Sequence, residues 1–68
     1  MNYRQKVYEI LILEARGRVE KLKFETLLMK YSNAEIRMMK KALEQLIKEG
    51  YIKNEGEFWQ VTKKEFKG

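Results

Sequence analysis

The sequence predicts an α+β domain of three helices and a closing two-stranded β-hairpin, with a short strand between the first and second helices. Three observations carry this. Apolar residues recur at helical spacing in three segments before Gly50. Ser32-Asn33-Ala34-Glu35 has the form of a helix-capping box. After Gly50 the pattern changes to two runs of strand formers separated by Glu55-Gly56-Glu57.

The first helix is expected from Tyr3 to Arg16, with Val7, Ile10 and Leu11 on one face and Gly17 as its stop. Arg18-Val19-Glu20 is too short for a helix and suits a brief strand. Phe24, Leu27, Leu28 and Tyr31 repeat at i, i+3, i+4 and i+7, which predicts a second helix from about Lys21 to Lys30. Tyr31-Ser32 leaves a linker of helix-turn-helix length, without a turn glycine. The third helix carries one apolar stripe, Ile36, Met39, Leu43, Leu46 and Ile47, and ends at Gly50. Tyr51–Asn54 and Phe58–Thr62 are the two hairpin strands. Alternation turns Trp59 and Val61 inward and Phe58, Gln60 and Thr62 outward. The basic tail, Lys63 to Gly68, has room for one helical turn. The expected core is Ile36, Met39, Leu43, Leu46, Trp59 and Val61 with Val7, Leu11, Phe24, Leu27 and Leu28.

The 68 residues allow one domain, 1–68, with a modest core. Neither cysteine nor histidine is present, so disulfides and the usual zinc sites are excluded. Self-association or close local packing is left to reinforce the fold. Fifteen Lys and Arg against ten Asp and Glu give a net charge of +5, which favours a polyanionic partner, nucleic acid first. The charge-rich, cysteine-free composition leans towards a thermophile and a reducing cytoplasm. No signal peptide is expected at the N-terminus. The longest apolar run, Ile10 to Leu13, is too short for a bilayer. No phosphate loop, carboxylate pair, nucleophile–base set or metal-ligand spacing appears, so no enzyme activity, cofactor, metal or small-molecule ligand is expected.

The stretch Leu43-Glu44-Gln45-Leu46-Ile47-Lys48-Glu49-Gly50-Tyr51-Ile52 resembles the segment of winged helix-turn-helix regulators where the recognition helix ends in Leu-x-x-Leu, then Gly and an apolar strand entry. Trp59-Gln60-Val61-Thr62 resembles the returning strand of the wing. The resemblance spans Tyr3 to Thr62. It implies sequence-specific binding of double-stranded DNA by a transcription regulator, with the third helix in the major groove.

At about 100° per residue, the side of the third helix opposite its apolar stripe carries Ala34, Arg37, Met38, Lys41, Gln45 and Lys48. Arg37 and Lys41 can donate to guanine or phosphate, and Gln45 can pair with adenine. Ala34 and Met38 suit thymine methyl groups. Ser32 and Asn33 at the helix start, and Lys40 on its flank, are expected on phosphate, with Lys21 and Lys23 as further candidates. The tip of the hairpin, with Glu55 and Glu57, argues the other way, because carboxylates repel phosphate. A protein–protein winged-helix module, such as a subunit of a larger assembly, is therefore the alternative. RNA binding ranks third, with only Phe58 and Tyr51 as aromatic candidates on the sheet.

The first helix also carries apolar residues off its core stripe. Tyr8, Ile12, Leu13 and Ala15 predict a patch covered either by a second copy of the helix, giving a homodimer, or by Phe66 folding back from the C-terminal segment.

Overall fold

The computed structural model describes residues 2–63 and 65–67. Asn2 opens the first helix, α1 (Tyr3–Glu9), by accepting the Gln5 amide on its side-chain oxygen at 3.2 Å. The helix then widens to π pitch over Ile10–Glu14. The Gly17 amide closes this wide end on the Leu11 carbonyl at 2.6 Å. Arg16 and Gly17 both take left-handed backbone angles, φ +53° and +84°. The sequence marked only the glycine as the stop.

For Arg16 that conformation is strained, because its Cβ crowds the following carbonyl. Its side chain is exposed, so little packing is lost on truncation. Arg16→Gly is expected to stabilise the fold by about 0.5–1 kcal/mol and raise the melting temperature by a few degrees. A thermal melt followed by circular dichroism measures this. An unchanged or lowered midpoint would show that the turn is not strained.

Strand β1 (Arg18–Glu20) leads into α2 (Lys21–Leu28), and Met29 to Ser32 connect to α3 (Asn33–Lys48). The second helix is thus two residues shorter than its expected end at Lys30. The capping box of α3 is formed in full: the Glu35 amide donates to Ser32 Oγ at 3.2 Å, and the Ser32 amide donates to Glu35 Oε1 at 3.2 Å. At the other end Gly50 is left-handed, φ +86°. Its amide bonds the Ile47 carbonyl and the Tyr51 amide bonds the Leu46 carbonyl, which is the Schellman closure a glycine permits.

The hairpin is β2 (Ile52–Glu55) and β3 (Phe58–Val61), in register Ile52 to Val61 and Glu55 to Phe58. Only Gly56 and Glu57 form its loop. Gly56 has φ +60°, and Glu57 is not left-handed, which is the type II′ turn that matches strand twist. Strand β1 pairs with β3 on the side away from β2, so the antiparallel sheet has the order β1-β3-β2. The Lys21 amide reaches the Glu57 carbonyl at 2.8 Å, so the hairpin turn caps the start of α2.

The core lies between the helices and one face of the sheet. Val7, Leu11, Phe24, Leu28, Met39, Leu43 and Leu46 are buried as expected, while Leu27, Ile36, Trp59 and Val61 are half-buried at its margin. Ile10, Val19, Ala42, Tyr51 and Ile52 complete it. Tyr51 is therefore a core residue and not an exposed aromatic. The described tail residues, Lys63, Glu65, Phe66 and Lys67, form no helix; Lys64 and Gly68 lie outside the described residues.

Phe66 folds back: its ring stacks on Tyr8 at 4.4 Å between centroids and meets Tyr51 edge-on at 5.2 Å. Tyr8 is thus covered within the chain. Ala15 also packs against the core, because the wide winding over Ile10–Glu14 departs from the 100° step used to place it outside. Ile12 and Leu13 remain exposed, Leu13 at 75%.

Candidate nucleic-acid interface

The 16 residues of α3 bury Met39, Ala42, Leu43 and Leu46 and so point the opposite side outward. Ala34, Arg37, Met38, Lys41, Gln45 and Lys48 are all exposed there. Ala34, Arg37, Met38 and Lys41 line one shallow depression. Met38 and Lys41 also belong to a second one, whose far wall is Asn2, Tyr3 and Arg4 at the start of α1. The two join into a strip along the helix. Its α1 wall is absent from the sequence reading, and no local signal marks it, since Arg4 and Glu49 are 45 residues apart in the chain. Arg4 is held there by two hydrogen bonds to Glu49 Oε1, at 2.7 and 3.0 Å.

The cations divide by location. Lys40 reaches back to Glu25 of α2 at 3.2 Å, Lys30 to Glu14 at 3.6 Å, and Lys53 to Glu55 at 2.8 Å. Lys21 bonds Asn54 at 2.6 Å and sits over the Trp59 ring. Among the described residues, Arg37 and Lys41 have neither an ion-pair nor a hydrogen-bond partner. The flanking candidates Lys40 and Lys21 therefore tie elements together, whereas Arg37 and Lys41 present uncompensated charge.

The helix start carries the capping box that the sequence predicts. The Ser32 hydroxyl both accepts from the Glu35 amide and donates to the Glu35 carboxylate at 3.0 Å. The carboxylate occupies the positive end of the helix, where a phosphate was expected. Ser32 is thus committed to the cap, and Asn33 and Ala34 are exposed beside a negative charge.

The Ser32 backbone amide holds the Glu35 carboxyl below the usual glutamate range, helped by the Ser32 hydroxyl and the charge of Lys6. A lowered native pKa stabilises the fold fully above the unfolded glutamate value and less as pH falls through the native one. Acidification from neutral pH to about pH 3 is therefore expected to narrow the difference in melting temperature between the natural chain and Glu35→Gln. A difference that stays constant across that range would show that the carboxylate charge plays no part in the cap.

The outer face of the sheet holds Arg18, Glu20, Lys53, Glu55, Phe58 and Gln60 by register. The Arg18 guanidinium lies 4.1 Å from the centre of the Phe58 ring, so this aromatic is already covered on one side. The Lys53 hydrogen bond and charge hold the Glu55 carboxyl below its usual range, and the Lys53 ammonium, 2.8 Å away, offsets part of the negative charge at the hairpin tip. Among the described residues, no group of three or more acidic side chains could hold a metal, and no helix is long and apolar enough to cross a membrane. Compared with family models, curated proteins and solved structures, the chain matches none.

Proposed function

We propose that this chain is a winged helix-turn-helix domain that binds double-stranded DNA in the cytoplasm as a transcription regulator, with α3 in the major groove and the hairpin as its wing. The element order and the sheet order β1-β3-β2 are compatible with that fold. The observation that carries the functional reading is the outward row of α3. Two uncompensated cations, an amide and an exposed methionine lie in one strip, the mixture that base edges, phosphates and thymine methyls call for. Arg37 and Lys41 are the principal contacts, Gln45 and Met38 read bases, and Ala34 permits close approach. Tyr3 and Asn2 border the groove from α1.

Titration of the chain against random duplex DNA at several salt concentrations tests this. Affinity in the micromolar range or tighter is expected, with a logarithmic salt slope near −0.9 per phosphate neutralised. Absence of binding at low salt, or binding indifferent to salt, would reject the reading.

A protein-binding role has one observation in its favour. Leu22 is 81% exposed and shares a depression with Glu20, Gly56, Glu57 and Lys21, whose ammonium is turned to Asn54. An apolar side chain beside carboxylates suits a basic protein segment better than DNA. Under this alternative the chain would bind no duplex DNA.

A further inference from the structure

We infer that the chain self-associates through the end of its first helix, with Leu13 of each copy seated in a depression of the other. Leu13 is 75% exposed although it follows the buried Ile10 and Leu11. It borders a depression of about 190 Å³, whose other walls are Lys6, Glu9, Ile10, Glu14 and Tyr31. A projecting leucine beside a hollow with an apolar floor is the element a two-fold interface uses, because rotation sets each leucine over the hollow of its partner.

The charges around this site identify the occupant. A chain of net charge +5 repels its own copy over most of its surface. Here Lys6, Glu9 and Glu14 line the hollow and Lys30 flanks it beside Glu14, so the surroundings are locally neutral. Lys30 and Glu14 already lie 3.6 Å apart, and the Lys6 and Lys30 ammonium groups sit 5.0 and 5.6 Å from the Tyr31 ring centre. An acidic or basic partner would call for one sign of charge. A rim of both signs is complementary to itself: in an antiparallel pairing, the lysines of one copy face the glutamates of the other. The interface is distinct from the Tyr8 side of the helix, which Phe66 covers. It does not depend on the DNA reading, and its test contains no nucleic acid.

Sedimentation equilibrium of the full chain at micromolar to hundred-micromolar concentration should give a mass approaching twice 8.3 kDa. Leu13→Glu should weaken the association by at least about tenfold, with an unchanged circular dichroism spectrum, since the side chain is not part of the monomer core. If Leu13→Glu fails to fold, Leu13→Ser serves as the uncharged replacement. Charge reversal provides the second arm. Lys6→Glu with Lys30→Glu, and separately Glu9→Lys with Glu14→Lys, should each be monomeric, and an equimolar mixture of the two should recover the dimer mass. A monomer mass throughout the concentration range overturns the proposal. So does a dimer that survives substitution of Leu13, or a mixture of the charge variants that stays monomeric.

Discussion

Replacing Arg37 and Lys41 together with alanine is expected to weaken duplex binding by about 2 kcal/mol or more, roughly thirtyfold, without lowering the melting temperature. Both side chains are exposed on α3 and have no partner among the described residues, so the folded domain loses nothing when they are truncated. The complex loses two charge-assisted contacts. If both residues meet phosphate, the salt slope should also fall by about two units. If one reads guanine, discrimination between sequences should fall while the slope changes less. Fluorescence anisotropy on a labelled duplex, at two salt concentrations, separates these outcomes. A double variant that binds as well as the parent would remove α3 as the reading element. In the same assay Glu55→Gln with Glu57→Gln locates the hairpin: tighter binding places its tip near phosphate, and unchanged binding places it away.

The largest effect on stability is expected from Leu46→Ala. Leu46 is fully buried in the last turn of α3, and its carbonyl accepts the Tyr51 amide that closes the helix. Truncation removes buried apolar surface and leaves a cavity, at a cost of about 2–5 kcal/mol. A chain of this length has a total stability on the order of 3–10 kcal/mol, at 0.05–0.15 kcal/mol per residue. The variant should therefore be partly or wholly unfolded at room temperature, and a urea titration followed by circular dichroism should show a much lower midpoint or no native baseline. Met38→Ala, on the same helix but half-exposed, should stay within about 0.5 kcal/mol of the parent. Equal midpoints for Leu46→Ala and the parent would contradict the packing described above.

The features legible in the amino-acid sequence are those whose physics is contained within one element. The capping box at Ser32 and Glu35 needs partners three residues apart, and the Schellman closure at Gly50 needs carbonyls in the preceding turn. Both are written locally, as is the change from helical to strand spacing after Gly50. The outward row of α3 was legible for the same reason, because a regular helix with one apolar stripe leaves no choice of where its other side points.

Tertiary structure decided what depends on residues far apart in the chain. Strand β1 could pair at either edge of the hairpin, and its hydrogen bonds with β3 settle the order. The partners of the lysines come from other elements, so spacing alone did not separate Lys40, held by Glu25, from the unpaired Lys41. The α1 wall of the groove arises from contact between α1 and α3, and the cover over Tyr8 from the stacking of Phe66, 58 residues later in the chain by their numbers. The wide winding over Ile10–Glu14 belongs to the same class. Val7, Ile10 and Leu11 specify a core face that helical spacing reveals, whereas the outward turn of Leu13 and inward turn of Ala15 follow from how the helix end closes on Gly17 and the sheet.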